Sequence, residues 1–248
     1  MAPLSLDELR DEMTEQKNLL IVQDLDGVCM SLVKDPLTRS LRADYVHAVA
    51  AMHNHFSVLT NGEHEGRRGV NRLVEKALDN DQLAKRKGLY LPGLAAGGVQ
   101  FQDRFGTVSY PGVSEQEMNF LESVPQQMEK RLRLKLKEIM PEIQGQVLDE
   151  ELKLAILDTQ VSPTINLNSL FDRIKNDVER QRQLQLMLSD LMESLMNAAS
   201  MAGLPTSFFL HVAPNLGRDA SGQERIKPAS PGDVGTTDIQ FMLRGSIK

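Results

Sequence analysis

The N-terminal part of the chain alternates short apolar runs with segments of helical periodicity. Leu19 to Gln23 is apolar until its last residue, and Phe56 to Leu59 repeats that pattern. Continuous apolar runs of this kind are typical of parallel strands that are covered on both faces. Helical spacing of apolar residues marks Ala43 to His53 and Glu65 to Leu78, and a glycine-rich apolar segment, Leu89 to Phe101, follows. The alternation predicts an α/β domain built on a parallel sheet.

The middle of the chain has a different pattern. Ser114 to Lys137 and Asn168 to Met201 are rich in Leu, Gln, Glu, Lys and Met, which favour helix. Lys153 to Leu157, Val161 to Leu167 and Phe208 to Ala213 have the composition of strands. Helices and strands that do not alternate regularly indicate a second module of the α+β type.

The two modules are expected to be nested in the sequence. We expect the first to comprise residues 1–104 and 215–248, and the second to be an insertion of residues 105–214. Pro214 to Gly235 is rich in Gly, Pro, Ser and Asp, which predicts a return loop. Thr237 to Leu243 is interpreted as the start of a further helix, with Asp238 in its first turn. A capping-box pattern at Ser5 and Glu8 predicts a short N-terminal helix.

Composition and charge exclude several classes of protein. The 248 residues carry a net charge of −6 and no dense basic run, so nucleic acid is not an expected partner. No apolar run reaches the roughly 20 residues that a membrane helix needs, and the N-terminal residues do not resemble a secretory signal. The single cysteine, Cys29, excludes an internal disulfide. We expect a cytoplasmic protein without a membrane partner, whose oligomeric state is not legible in the sequence.

Two aspartates directly follow the first apolar run. Asp24 and Asp26 are separated by one residue and precede Gly27, which lets the backbone turn sharply. Side chains two positions apart in an extended segment point the same way, so both carboxylates are expected at the carboxyl edge of the sheet, where α/β proteins bind ligands. One carboxylate can attack phosphorus, and the other can protonate the leaving alcohol and activate water. An Asp-Gly turn with two solvated acids is the competing interpretation of this motif alone.

A hydroxyl group takes the equivalent position on the second strand. Thr60 follows the apolar run Phe56 to Leu59 and precedes Asn61 and Gly62. A neutral donor at this place can hold a phosphate without the cost of a buried charge. A threonine that merely ends a strand is common, but its combination with the two aspartates favours a phosphate site.

These blocks resemble known sequence motifs. LLIVQDLDGV and FSVLTNG resemble motifs I and II of the haloacid-dehalogenase (HAD) superfamily of phosphohydrolases, and LPGLAAGGVQF is similar to the third core strand of its sugar-phosphatase branch. Within that branch, VQDLDGVCMSLVKDPLTR and SVLTNGEHEGRRG resemble the glucosylglycerol-phosphate phosphatases of cyanobacteria. The resemblance implies an α/β fold with a HAD-like Rossmannoid parallel-sheet core and an inserted α+β cap.

The resemblance also implies roles for individual residues. Asp24 would be the nucleophile and Asp26 the general acid and base, while Thr60, Asn61 and Gly62 would bind the transferring phosphate. Mg²⁺ would be held by Asp24, by the Asp26 backbone carbonyl and by a later acidic residue. The implied reaction is hydrolysis of a phosphorylated sugar-polyol, glucosylglycerol 3-phosphate, through an aspartyl-phosphate in compatible-solute (osmolyte) synthesis. The implied partner is therefore a small-molecule sugar phosphate.

The later part of the sequence departs from this family pattern. The family has a lysine or arginine after the cap, and the corresponding stretch GDVGTTDIQF has Val234 at that place. Lys227 is the remaining candidate for a phosphate-binding charge, with Arg225 as the alternative, and a solvated loop charge is the competing interpretation of both. The final acidic motif is expected beyond Lys248. A catalytically silent or truncated HAD-like binding or regulatory protein is therefore the second functional hypothesis.

Other polar residues near these motifs remain open to two interpretations. Asp233 and Asp238 fit the acidic signature of the family formally, but no apolar strand precedes them. His64, Arg67 and Arg68 follow the second strand at the start of a helix, where backbone amides attract anions. Contact with a phosphate and a charged helix surface are equally compatible with these three residues.

Overall fold

A computed structural model describes residues 5–16, 18–33, 36–157 and 159–244 of the chain. The described residues form eight α-helices: α1 (Leu6–Glu15), α2 (Ala43–Ala51), α3 (Val70–Leu78), α4 (Asp81–Lys87), α5 (Glu115–Ile139), α6 (Gly145–Ala155), α7 (Asn168–Arg173) and α8 (Val178–Met201). They also form eleven strands: β1 (Ile21–Gln23), β2 (Phe56–Leu59), β3 (Gly93–Ala95), β4 (Gln100–Gln102), β5 (Val108–Ser109), β6 (Ile156–Leu157), β7 (Thr164–Asn166), β8 (Phe208–Ala213), β9 (Asn215–Arg218), β10 (Glu224–Ile226) and β11 (Asp238–Leu243). None of these helices combines the length and the apolar character that a membrane span requires.

The first sheet contains strands β1 to β5 in sequence order. Strands β1, β2 and β3 are parallel, and their register pairs Gln23 with Val58 and Val58 with Gly93. Strands β4 and β5 continue the sheet in antiparallel pairing, because the segment Leu89 to Phe101 folds back through a short turn at residues 96–98. The α/β class with a parallel sheet, predicted from the sequence, is confirmed.

Gly93 permits the close approach of β2 and β3. Its φ is +135°, and a Cβ atom at this position would lie 2.3 Å from the carbonyl oxygen of Val58. Only glycine avoids that clash and adopts this backbone conformation without strain. The pairing continues beyond β2, since the Thr60 N–H donates to the Leu94 carbonyl over 3.0 Å. The end of β2 is thereby fixed against the centre of the first sheet.

One face of the first sheet is covered by helices α2, α3 and α4. The fully buried members of the core that they share with the strands include Leu25, Val46, Val58, Val74 and Leu91. On the other side, Leu20, Val22 and Leu59 expose 56%, 57% and 47% of their surface. The expectation that β1 and β2 are covered on both faces is therefore wrong within the described residues.

The second sheet is antiparallel and has the strand order β6-β7-β11-β8. Helices α5 and α8 pack against each other, and their apolar residues share one core with this sheet. Its aromatic centre consists of Phe120, Phe208 and Phe241, and the ring centroids of Phe208 and Phe241 are 4.8 Å apart. The two long helical segments predicted for the middle of the chain correspond to α5 and to α7 with α8.

Strand β11 corrects the sequence analysis. Thr237 to Leu243 does not start a helix, because residues 238–243 form a strand between β7 and β8. Successive side chains point to opposite faces, and Ile239 and Phe241 are buried in the core of the second sheet. Residues 239–243 are all buried, and this burial between β7 and β8 outweighs the local helix signal of Gly-Thr-Thr. Residues 238–243 thus pair within the second sheet, although the sequence predicts residues 215–248 as part of the first module.

Two other segments differ from the predicted elements. Lys153 to Ala155 end helix α6, so the predicted strand Lys153 to Leu157 is reduced to the two residues of β6. The predicted return loop Pro214 to Gly235 contains a hairpin of β9 and β10. The predicted N-terminal helix is confirmed as α1, and Ser5 and Glu8 make both hydrogen bonds of the capping box.

Polar contacts hold the second sheet beside the carboxyl end of the first. The buried carboxylate of Glu63, which follows β2, accepts hydrogen bonds from the Val161 N–H over 2.8 Å and from the Ser162 N–H over 2.9 Å. The Gln240 side chain on β11 donates to the Asn61 carbonyl over 3.0 Å. The loop after β2 is therefore tied to the second sheet from two directions.

Candidate active site

The end of β1 places Asp24 and Asp26 on the side of the chain away from the core. Leu25, between them, is completely buried, so the two carboxylates lie on the opposite side of the backbone. The chain then turns at Gly27, whose φ of +77° is in the left-handed region that favours glycine. The Gly27 N–H donates to the Met30 carbonyl over 2.8 Å and closes this turn. The structure confirms the sharp turn that the sequence predicted after Asp26.

The two carboxylates occupy different environments. Asp24 is exposed, and its Oδ1 accepts a hydrogen bond from the Leu25 N–H over 2.8 Å. Asp26 is partly buried, and burial raises the pKa of its carboxyl group above the ordinary value. The guanidinium groups of Arg39 and Arg68 act against this increase in pKa, whereas the negative charge of Asp24 adds to it. The surroundings of Asp26 thus increase the proton affinity of its carboxyl group.

The segment after β2 is held rigidly. Thr60 is buried, and its hydroxyl oxygen accepts a hydrogen bond from the Gly62 N–H over 3.3 Å. The Gly62 carbonyl accepts from the Ala96 N–H over 2.7 Å, and the Thr60 carbonyl accepts from the Gly97 N–H. These bonds fix the backbone of Asn61 and Gly62 at the carboxyl end of the first sheet, next to the end of β1.

A cavity of about 170 Å³ lies where the two sheets meet. We call it the inter-sheet cavity. From the first module it is lined by Asp26, Arg39, Asn61, Gly62 and Arg68. From the second sheet and its following residues it is lined by Thr164, His211, Ala213, Asp238 and Gln240. Two of its walls therefore come from parts of the chain that are far apart in sequence.

The inter-sheet cavity brings together some of the predicted site residues. Asp26, Asn61 and Gly62 line it directly. Asp24 lies close enough for its charge to raise the pKa of Asp26, and Thr60 is bonded to Gly62. Asp24 and Thr60 do not line the cavity themselves, but they lie beside its lining residues at the ends of two adjacent strands.

Lys227 is not brought to this cavity. Its ammonium group pairs with the carboxylate of Asp233, and its backbone N–H donates to the Thr236 hydroxyl oxygen over 2.8 Å. The alternative residue, Arg225, donates to the Leu216 carbonyl over 3.0 Å at the hairpin of β9 and β10. Both side chains have partners within the return segment, and neither lines the inter-sheet cavity.

Two arginines place positive charge in the cavity, and the sequence indicated only one of them. The Arg39 Nε atom lies 2.9 Å from Asp26 Oδ1 in an ion pair, and Arg68 lines the same cavity. Arg68 was open to two interpretations, whereas Arg39 ends the quoted block VQDLDGVCMSLVKDPLTR and was given no role, because a single arginine in a polar loop has no local signal that sets it apart. Planar guanidinium groups are well suited to bind phosphate oxygens.

The neighbours of Arg68 have structural contacts. His64 is completely buried, its Nε2 lies 3.0 Å from the Gly93 carbonyl, and burial lowers its pKa, which favours a neutral ring that donates to this carbonyl. Arg67 donates to the Lys153 carbonyl over 2.9 Å and so reaches the second module. Neither residue lines the inter-sheet cavity.

The acidic residues of the site fit a hard cation such as Mg²⁺. The described residues contain no group of three or more His, Cys, Asp or Glu side chains that could hold a metal by themselves. Mg²⁺ is nevertheless commonly bound through one or two carboxylates, with water and substrate phosphate as the other ligands. Asp26 is desolvated beside the negative charge of Asp24, and a cation would relieve both unfavourable effects. The donor set at Asp24 and Asp26 is thus compatible with Mg²⁺.

The sequence of the chain matches the model of a known protein family. The family model described as glucosylglycerol-phosphate phosphatase matches residues 18–248, which include both aspartates and Thr60. The chain belongs to the glucosylglycerol-phosphate phosphatase family. A member of this family from Synechocystis sp., named glucosylglycerol-phosphate phosphatase, is 49% identical over 236 residues, which cover 95% of the chain and 56% of that relative. The chain thus spans somewhat more than half the length of this family member.

Proposed function

We propose that this chain carries the active site of a phosphatase that hydrolyses a phosphorylated sugar-polyol, glucosylglycerol 3-phosphate, in osmolyte synthesis. The observation that carries the proposal is the inter-sheet cavity, in which Asp26 lies with two arginines and the fixed backbone of Asn61 and Gly62. The name of the Synechocystis relative supports the substrate. The single cysteine is compatible with the reducing cytoplasm, in which we place the enzyme.

The reaction proceeds in two steps at one phosphorus atom. In the first step, a carboxylate oxygen of Asp24 forms a bond to phosphorus while the bond from phosphorus to the substrate oxygen breaks, and Asp26 gives its proton to that oxygen. In the second step, Asp26 takes a proton from water as the water oxygen bonds to phosphorus. The Asp24–phosphorus bond breaks, and inorganic phosphate leaves. The raised pKa of Asp26 favours the protonated form that the first step requires.

The remaining first-module residues bind the phosphoryl group. The Thr60 hydroxyl and the Asn61 backbone N–H offer neutral hydrogen-bonding groups beside the strand end, and Gly62, whose N–H donates to the Thr60 oxygen, holds that hydroxyl in place. Arg39 and Arg68 add positive charge, which stabilises the negative charge on the transferring group. The ion pair with Arg39 also orients the carboxyl group of Asp26 towards the inter-sheet cavity.

Asp24 and the backbone carbonyl of Asp26 are the groups that would hold Mg²⁺. When bound, the cation neutralises negative charge on the phosphoryl oxygens. Asp24 is already exposed on one side, so its carboxylate remains accessible to both substrate and cation.

Phosphate release from glucosylglycerol 3-phosphate in the presence of Mg²⁺ tests this function. We expect Asp24→Asn to lower kcat by at least about 10³-fold, because the nucleophile is lost. Asp190→Asn on the exposed surface of α8 is the matched control and should retain full activity. Equal turnover by Asp24→Asn and the unchanged protein would contradict the assigned mechanism.

A catalytically silent binding protein is the competing function. Its support is that Lys227 pairs with Asp233 and that no cluster of three acidic ligands occurs among the described residues. Calorimetric titration with Mg²⁺ in the presence and absence of inorganic phosphate separates the two functions. The phosphatase should bind Mg²⁺ more tightly with phosphate present, whereas the silent protein should show weak binding that Asp24→Asn does not change.

A further inference from the structure

The second sheet presents a row of polar side chains to the inter-sheet cavity. Gln240 on the central strand β11 is in register with Thr164 on β7 and with His211 on β8. Side chains in register on neighbouring strands lie on the same face of a sheet. All three residues line the cavity, and the adjacent residues Ile239 and Phe241 are buried on the opposite, apolar face. These three polar side chains thus form one side of the inter-sheet cavity.

Two residues of this row, Thr164 and Gln240, already donate hydrogen bonds to backbone carbonyls of the fold. The Thr164 hydroxyl donates to the Ser162 carbonyl over 2.8 Å, and the Gln240 side-chain amide donates to the Asn61 carbonyl over 3.0 Å. The Nδ1 atom of His211 is bonded to Glu224, and its Nε2 has no hydrogen-bond partner in the part of the chain that the structure describes. The row therefore contains one ring nitrogen that a ligand can bind without breaking an existing bond.

Glu224 holds the imidazole of His211 in place. Its Oε2 atom lies 2.9 Å from His211 Nδ1 and also accepts a hydrogen bond from the Val212 N–H over 2.9 Å. The Glu224 side chain is only 11% exposed, and the hydrogen bond from the Val212 N–H fixes its carboxylate. A carboxylate only accepts hydrogen bonds, so Nδ1 carries the proton and Nε2 of the neutral ring is an acceptor.

We propose that His211 is a specificity-determining residue whose Nε2 binds a hydroxyl group of the sugar-polyol part of the substrate. The inference rests on the proposed function, which places the phosphate at Asn61, Gly62 and the arginines on the facing wall. A hydroxyl both donates and accepts, so it can pair with Nε2 of the neutral and of the protonated ring. Glu224 acts as a positioning residue, because it orients the ring without touching the substrate.

The test compares two substrates that share the phosphoglycerol part. We expect His211→Ala to lower kcat/KM for glucosylglycerol 3-phosphate by about tenfold, because one hydrogen bond to the substrate is lost. The decrease should be smaller for glycerol 3-phosphate, which lacks the sugar. The ratio of the two kcat/KM values should therefore fall. His211→Gln restores a group that donates and accepts, so it should recover part of the ratio. Glu224→Gln should lower the ratio to a smaller extent, because an amide still accepts from Nδ1.

The controls separate this inference from the proposed function. His47→Ala changes an exposed histidine on α2 and should keep the ratio of the unchanged protein. If His211→Ala does not fold in thermal melting, the comparison uses His211→Gln and Glu224→Gln. A ratio that stays constant in the folded His211 variants would overturn the inference while leaving the phosphatase intact. No phosphate release from either substrate by the unchanged protein would refute the proposed function and this inference with it.

Discussion

The two sheets contribute to the inter-sheet cavity by different structural means. The first sheet contributes groups that follow strand ends, such as Asp26 and Asn61, whose positions depend on tight turns of the backbone. The second sheet contributes groups on the face of its strands, such as His211 and Gln240, whose positions depend on strand register. Turns can hold reacting groups and backbone amides at one point, while a sheet face can present several side chains over a wider area. We infer that the first arrangement serves the chemistry and the second serves recognition.

The largest expected effect concerns the chemistry of the first sheet. Asp26→Asn should lower kcat by about 10²- to 10⁴-fold, because it removes the group that we propose as general acid and base. The same variant should not lose stability in thermal melting with EDTA. Because the pKa of Asp26 is raised in the folded state, its ionised form destabilises the fold. The free energy of unfolding should therefore decline as pH rises through the pKa of the unfolded state and then through that of the folded state. A markedly lower melting temperature at neutral pH would show that Asp26 holds the fold together instead.

The next effect concerns the stability of the second sheet. Phe241→Ala should lower the free energy of unfolding by about 3–5 kcal/mol, because it leaves a cavity among the stacked rings on the apolar face. Phe101→Ala in β4 is the matched control, since this ring is 44% exposed, and the loss should stay below about 1 kcal/mol. Urea unfolding measures the free energy of unfolding of both variants. Similar losses for the two variants would mean that the second sheet is no more tightly packed than the first.

The smallest expected effect concerns the contact between the sheets. Glu63→Ala should lower the free energy of unfolding by about 1–3 kcal/mol, because the N–H groups of Val161 and Ser162 lose their acceptor. Glu193→Ala on exposed α8 should leave stability unchanged. Hydrogen exchange at Val161 and Ser162 gives a local measure, and faster exchange is expected only in Glu63→Ala. Unchanged exchange there would exclude Glu63 as the group that fixes this segment.

The sequence permits prediction of strands β1 and β2 and of the polar residues at their ends, because the relevant residues are contiguous. An apolar run followed by Asp24, Asp26 and Gly27 contains the strand, its end and its turn in one segment. The run Phe56 to Leu59 and the following Thr60 likewise contain strand β2 and its end in one segment. Parallel neighbours in an α/β pattern have their carboxyl ends on one side, so the convergence of the two segments followed from the fold class.

The second wall of the cavity was not predictable in the same way. His211 and Gln240 meet only because β8 and β11 pair in one register, and no local pattern in either segment specifies that register. The Gly-Thr-Thr segment before Asp238 predicts a helix start, whereas residues 238–243 form a strand because β7 and β8, which are distant in sequence, pair with them. Lys227 is a candidate by its charge alone, away from the place of the family lysine, and its pairing with Asp233 depends on a loop that the sequence does not define.

The position of β11 between β7 and β8 has a consequence for how the chain folds as it leaves the ribosome. Helices α5 and α8 can form from local contacts, but β7 and β8 have to wait for residues 238–243 before they are joined in one sheet. Pairing over such sequence separations is slow, because a long loop has to close first. During this interval the nascent protein exposes the apolar sides of both long helices, and we expect chaperones to protect them until β11 inserts.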